Sequence, residues 1–255
     1  MELKALIFDV DGTLADNERD GHRVAFNQAF EARGLDWRWD VETYGGLLEI
    51  FGGKERLKHY IEEFLPADQQ PEDVDSFVAE VHADKTRRYT ELLEQGTIPL
   101  RPGVERLLRE ARAAGLALAV ASTTTPQNVA TLMRANFGPD EADFFDVVSA
   151  GDMVENKKPA PDVYERALDE LGLPPEACLV FEDTSLGLAS ARNAGLDTVI
   201  TVNDYTEDED FSGALLVLDN LGEPDRPFTV LQGDAGGARW VDVDLLRGLH
   251  ASRHG

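Results

Sequence analysis

Short apolar runs and amphipathic stretches alternate along most of the chain. Residues 3–8, 116–121, 147–149, 178–181 and 198–202 are nearly continuous apolar runs, the pattern of strands buried on both faces of a parallel sheet. Between them, residues 103–114, 126–135, 162–171 and 186–194 place Leu, Ala and Val at helical spacing. Two of these stretches stop at an Ala-Gly pair, ending in Gly115 and Gly195, which is a helix-terminating signal. Strand and helix in alternation predict an α/β fold built on a doubly wound parallel sheet. Beyond residue 202 the pattern weakens into an acidic loop at 206–210, a strand predicted at 215–218 and an amphipathic stretch at 241–249, a tail with no assigned function.

One interval breaks the alternation. Residues 16–95 carry helical patterns at 22–33, 54–64 and 72–93 and no convincing strand. They predict an all-helical domain, 17–95, inserted into a core made of 1–16 and 96–255, with hinges near Asp16 and Gly96. An insert at that point is expected to stand over the sheet edge where doubly wound folds bind ligands, and to work as a lid.

Composition narrows the chemistry. The chain has 255 residues and 42% hydrophobic content, enough to bury a full core. The single cysteine, Cys178, lies in an apolar run and excludes an internal disulfide; an inert core thiol is expected. No apolar run reaches the roughly 20 residues that span a bilayer, and a cytoplasmic protein without membrane partners is expected. The formal net charge of -25 repels nucleic acid and anionic membranes. It also repels a phosphorylated small molecule, so cations must be concentrated wherever one binds. Lysine is scarce, at positions 4, 54, 58, 85, 157 and 158.

Four motifs fall at predicted strand ends. Asp9-Val10-Asp11-Gly12-Thr13 follows the first strand, and its two carboxylates can serve one divalent ion while keeping separate roles; an Asp-rich turn is the alternative. Ser122-Thr123-Thr124-Thr125-Pro126 offers hydroxyls and free N–H groups to a phosphate at a helix start, or simply a helix cap. Lys157-Lys158-Pro159-Ala160-Pro161 can aim a lysine inward from a rigid turn, or leave a solvated pair. Glu182-Asp183-Thr184-Ser185 either caps the next helix or joins Asp9 on one sheet edge. All four stand in one order on one predicted sheet.

At these residues the sequence resembles the haloacid dehalogenase superfamily of phosphohydrolases, with Asp9 to Thr13, Ser122, Lys158 and Glu182-Asp183 at the family's four motifs. The resemblance implies a Rossmann-like core with an inserted cap, of the subgroup that includes phosphoglycolate phosphatase and β-phosphoglucomutase. Further stretches resemble CbbY proteins: Glu18 with His22-Arg-Val-Ala-Phe26-Asn27, Gly52-Gly53-Lys54-Glu-Arg56, Ala150-Gly-Asp-Met153, Lys157-Lys-Pro159 and Thr201-Val-Asn203-Asp-Tyr205-Thr206. The implied activity is removal of the 1-phosphate of xylulose 1,5-bisphosphate, an inhibitor of Rubisco. A phosphomutase or a phosphoglycolate phosphatase is the alternative within the same chemistry. Departures are an extra residue between Asp9 and His22 relative to some members, Asn17 where threonine is common, and the unmatched tail. A non-catalytic binder predicts loss of Asp9, Asp11, Lys158 or Asp183, and all are present.

The implied mechanism has Asp9 as nucleophile and Asp11 as general acid and base. Mg2+ is expected on Asp9, the Asp11 main-chain carbonyl and Asp183, with Glu182 binding directly or through water. Lys158 and the donors of Ser122, Thr123 and Thr124 are expected around the phosphoryl group. Glu18, His22, Gly52, Gly53, Lys54, Arg56 and Lys85 are expected to bind the rest of a small phosphorylated sugar, in a protein working as a monomer.

Overall fold

A computed structural model describes residues 2–50, 52–141, 144–150 and 153–254. Gly151 and Asp152, in one of the CbbY-like stretches, lie outside the described residues. The chain divides into two compact units, Asn17–Ile98 and the pair Met1–Asp16 with Pro99–Gly255.

The Asn17–Ile98 unit is helical. A π-helical turn at Asn17–His22 runs into α1 (Arg23–Ala32), followed by α2 (Val41–Leu47), α3 (Gly53–Phe64) and the long α4 (Val74–Glu94). Helix α1 packs on α4, and α3 on the same helix. The core is aromatic: Phe26 and Phe30 approach Trp39 at 4.7 and 5.0 Å between ring centres. Asn27 fastens that tryptophan by donating to its carbonyl and accepting from its N–H, both at 2.8 Å. Helix α2 was not legible in the sequence, because its seven residues include Gly45 and Gly46, weak helix formers. Its start is fixed instead by Asp40, whose carboxylate accepts from Thr43 N–H at 2.8 Å.

The second unit is an α/β Rossmann-like domain. Its strands are β1 (Ala5–Phe8), β2 (Ala117–Ser122), β3 (Val147–Ala150), β4 (Cys178–Glu182), β5 (Asp197–Thr201), β6 (Leu216–Leu218) and β7 (Val230–Gly233). Among the described residues they form one seven-stranded sheet in the order β3-β2-β1-β4-β5-β6-β7, parallel up to β6. The helices α5 (Val104–Ala113), α6 (Pro126–Phe137), α7 (Asp162–Leu171), α8 (Ser185–Asn193) and α9 (Val243–His254) complete this unit. The antiparallel strand β7 departs from the all-parallel expectation. All four of its residues are exposed, so no buried face leaves an apolar trace in the sequence. The terminal helix α9 starts two residues later than the predicted stretch and runs five further, to His254, whose Nε2 pairs with Asp197 Oδ2 at 2.9 Å.

Strand register places the motifs. Phe8 is level with Val120 on β2 and with Phe181 on β4, so Asp9, Ala121 and Glu182 emerge at one height at the carboxyl edge. Glu182 is in turn level with Ile200 on β5, which brings the loop after Thr201 to the same edge. The strand order reverses direction about β1, the position where such sheets open a crevice for ligands.

Candidate active site

Asp9 leaves β1 with its N–H held by Phe181 O at 3.0 Å and its side chain buried, 7% exposed. Beyond it, the N–H groups of Thr13, Leu14 and Ala15 all turn back to Val10 O, closing a tight loop. Gly12 in that loop has φ +93°, and a Cβ there would lie 2.1 Å from Asp183 Oδ2, so only glycine lets the loop approach the β4 acids. Gly187 does the same from α8, where a Cβ would lie 2.0 Å from Glu182. Arg101 stitches the edge together, donating to the carbonyls of Gly12, Thr201, Val202 and Asp219 and pairing with Asp16 at 3.2 Å.

Asp9, Glu182 and Asp183 thus converge, with one oxygen of each within 4.8 Å of the others. Glu182 is 1% and Asp183 3% exposed. Lys158 answers them, donating to Asp9 Oδ1 at 2.6 Å and to Glu182 Oε1 at 2.5 Å. Tyr164, fully buried on α7, donates to the same Glu182 oxygen at 2.9 Å, and the lysine ammonium lies 5.1 Å from the centre of its ring. The second Glu182 oxygen accepts from the N–H groups of Asp183 and Thr184 and the Thr184 hydroxyl, at 3.0, 3.3 and 3.3 Å. Asp183 accepts from Thr13 Oγ1 at 3.3 Å and from Asn203 Nδ2 at 2.7 Å.

Three buried carboxylates facing one ammonium leave uncompensated negative charge. Burial, with Glu182 and Asp11 adding to it and Lys158 opposing, pushes Asp9 up to about 7. Burial, Glu182 and Asp9 likewise raise Asp183 well above the carboxylate range. Burial works against the charged form of Glu182 too, but Lys158 and its hydrogen bonds outweigh it and hold the group low. Lys158 is disfavoured by burial yet held well above the usual lysine value by Asp9 and Glu182. An all-oxygen set with excess negative charge fits a hard divalent cation such as Mg2+.

A carboxylate whose folded pKa is raised binds its proton more tightly folded than unfolded, so stability is lost as pH rises from the unfolded carboxylate value to the folded one. For the chelator-treated protein, melting temperature is expected to fall as pH rises towards about 7, the value reached by Asp9. The Asp9→Asn variant is expected to show a shallower slope; an unchanged slope would refute this origin.

Ser122 and Thr124 are buried and Thr123 exposed, at the turn from β2 into α6. The Ser122 oxygen accepts from Thr124 N–H at 3.3 Å, and Thr124 Oγ1 from Asn128 Nδ2 at 3.2 Å, so both hydroxyl protons stay available to a ligand. The capping is done by Thr125, which accepts from Asn128 N–H. Asp11 is half-buried just past Asp9, and Lys157 is exposed.

The helical unit gathers part of its own set. Tyr44 donates to Glu18 at 2.5 Å, and buried Arg56 donates to Tyr44 at 2.8 Å and to Leu47 O at 3.0 Å, with Glu18 3.7 Å away. Lys85, also buried, meets His22 Nδ1 at 2.7 Å. Burial, then Lys85, Arg56 and His82, hold His22 well below its ordinary value, so it is neutral and accepts the lysine proton. Lys54 is exposed on the first turn of α3, just after Gly52 and Gly53. Sequence reasoning did not single out Tyr44, Tyr164 or Arg101. A lone aromatic at helical spacing reads as core, and a lone arginine in the turn ahead of α5 carries no spacing signal. Cys178 is buried, its thiol pushed up to about 12 by burial, consistent with an inert core group.

Comparison with known proteins agrees with this geometry. The model of the haloacid dehalogenase-like hydrolase family matches residues 3–195. The chain is 53% identical over 214 residues to CbbY of Rhodobacter capsulatus, covering 84% of this chain and 92% of that protein. It is 47% identical to a plasmid-encoded CbbY of Cupriavidus necator over 249 residues, 97% of each chain, an alignment that takes in the C-terminal tail left unmatched by the motifs. A solved CbbY variant from Rhodobacter sphaeroides in complex with xylulose-1,5-bisphosphate superposes with TM-score 0.72 and 44% identity, covering 86% of this chain and 94% of that one. No described helix is long and apolar enough to cross a membrane. The chain belongs to the haloacid dehalogenase-like hydrolase family, as a relative of the CbbY proteins, and is a phosphoric monoester hydrolase.

Proposed function

We propose that the protein removes the 1-phosphate of xylulose 1,5-bisphosphate through an aspartyl-phosphate on Asp9, with Mg2+ held by Asp9, the Asp11 main-chain carbonyl and Asp183. The observation that carries the reading is Lys158, a buried ammonium 2.6 Å from Asp9 and fixed there by Glu182. A cation fixed beside one carboxylate is the arrangement needed where that oxygen is to bond to an anionic phosphoryl group. The solved relative that holds xylulose-1,5-bisphosphate supports the substrate.

In the first step an Asp9 oxygen bonds to phosphorus as the bond to the sugar oxygen breaks, and Asp11 gives that oxygen its proton. Asp11 then takes a proton from water, which attacks the acyl phosphate and frees both phosphate and Asp9. General acid–base help of this kind is typically worth ~10²–10⁴-fold. The bound ion would supply neutralising charge to the phosphoryl oxygens. Lys158 does the same from the protein side, and Ser122, Thr123 and Thr124 offer hydroxyl and N–H donors. Glu182 has two donors on one oxygen and three on the other, so it holds Lys158 in place and would add to the ion's site through water rather than as a direct ligand. In the helical unit, Lys54 and Lys85 are assigned the second phosphate, and Glu18 and His22 the sugar hydroxyls, beside the Gly52-Gly53 turn. Arg56 is assigned to the same set; its Nε donates to Leu47 O and its Nη1 to Tyr44, which also sets the position of Tyr44 beside Glu18.

Phosphate release from xylulose 1,5-bisphosphate, ribulose 1,5-bisphosphate, phosphoglycolate and β-glucose 1-phosphate, with Mg2+ or with chelator, tests the reading. The highest kcat/KM is expected for xylulose 1,5-bisphosphate, with activity lost in chelator. Equal or faster turnover of phosphoglycolate, or interconversion of glucose phosphates, would overturn the substrate assignment.

A further inference from the structure

The stretch Thr201 to Thr206 has no part in the chemistry above, yet it reaches the acids. Asn203 leaves the end of β5 and donates from Nδ2 to Asp183 Oδ2 at 2.7 Å. Its Oδ1 accepts from Tyr205 N–H at 2.9 Å, which fixes the amide with its nitrogen towards the carboxylate. The turn is locked from the other side: Asn203 N–H donates to Thr206 Oγ1, and Thr206 N–H to Asn203 O, both at 3.1 Å, with Thr206 buried. The Asp9 loop packs on this pair so closely that a Cβ on Gly12 would lie 2.7 Å from Asn203 Nδ2.

The consequence concerns Asp183. One of its oxygens is occupied by a short amide hydrogen bond, while among the described residues the other has only the Thr13 hydroxyl, at 3.3 Å. A carboxylate held in this way offers one oxygen readily and the second poorly. Mg2+ takes a small, fixed set of single-oxygen ligands, whereas Ca2+ accepts about six to eight oxygens and often both of one carboxylate. We infer that Asn203 is a positioning residue that turns Asp183 into a one-oxygen ligand and so tunes the site for Mg2+ over Ca2+. The inference rests on the metal reading of Asp9 and Asp183.

Asn203→Ser separates the two jobs of the side chain. Serine can still accept from Tyr205 N–H and keep the turn, but it is too short to reach Asp183. Asn203→Ala serves as a second variant, and melting in chelator reports whether each is folded. Calorimetric titration of the whole protein with MgCl2 and with CaCl2 is the readout. The Mg2+ dissociation constant is expected to rise about tenfold or more, in the range seen when groups supporting metal ligands are removed. The Ca2+ constant is expected to change less, so that preference for Mg2+ narrows. An unchanged Mg2+ constant, or equal weakening for both ions, overturns the role of Asn203 while leaving the metal site standing. A wild-type protein that binds no Mg2+ overturns the metal reading itself.

Discussion

Replacing Asp9 with asparagine is expected to lower turnover by roughly 10⁴-fold or more, the scale on which loss of a nucleophile acts, while leaving the fold intact. The amide cannot form the acyl phosphate, yet it fills the same volume at the end of β1. Burial and the neighbouring acids already push the Asp9 carboxyl up to about 7, so removing its charge relieves repulsion in the metal-free protein. In chelator the variant is therefore expected to melt at the wild-type temperature or above it. Steady-state phosphate release together with thermal melting checks both halves. An inactive variant that is also strongly destabilised would point to a structural role and against nucleophilic chemistry.

Lys158→Met is expected to behave in the opposite way on stability. The lysine is a buried cation shared by Asp9 and Glu182, and all three side chains are at most 10% exposed. Removing it leaves Glu182 charged in a position 1% exposed, and breaking a buried pair from one side costs about 3–5 kcal/mol. Turnover is expected to fall by roughly 10²–10³-fold from the lost charge stabilisation. Denaturant midpoints in chelator, with activity measured at saturating Mg2+, separate the two effects. A variant of wild-type stability would mean that Tyr164 and the start of α8 satisfy Glu182 unaided, and that Lys158 is not what holds the buried carboxylates.

The legible part of the fold is the part with a strong burial pattern. Strands β1, β2, β4 and β5 are covered on both faces and read directly as apolar runs that end at the motifs, while the register that aligns Asp9 with Glu182 is visible only in the structure. Strand β7, with no buried face, and α2, with two glycines, carry no such pattern and were found only in the structure. At the site, the carboxylates and Lys158 stood out because charged residues at the ends of apolar strands need a reason. The groups that hold them did not. Tyr164 reaches Glu182 from the helix that precedes β4, where it reads as one more core aromatic, and Asn203 lay in a CbbY-like stretch that carried no assigned role until its hydrogen bonds to Asp183 and Tyr205 were visible. Residues that act by holding others are defined by three-dimensional contact, which spacing along a chain does not encode.

His22, Phe26 and Asn27 belong to one CbbY-like stretch; Phe26 and Asn27 build the aromatic core around Trp39, with the Lys85 ammonium 5.1 Å from the centre of the Phe26 ring, while His22 hydrogen-bonds that lysine. Of the three only His22 was expected at the site, and the packing gives Phe26 and Asn27 their part in the core.

The proposed mechanism depends on phosphoryl transfer through Asp9. The most direct test is an acid-quenched single turnover of xylulose 1,5-bisphosphate labelled at the 1-phosphate, followed by peptide mapping of the protein-bound label. A transient, base-labile phosphoryl group on the peptide that contains Asp9, absent from Asp9→Asn, is the predicted result. Label on any other residue, or a burst undiminished in Asp9→Asn, would contradict it.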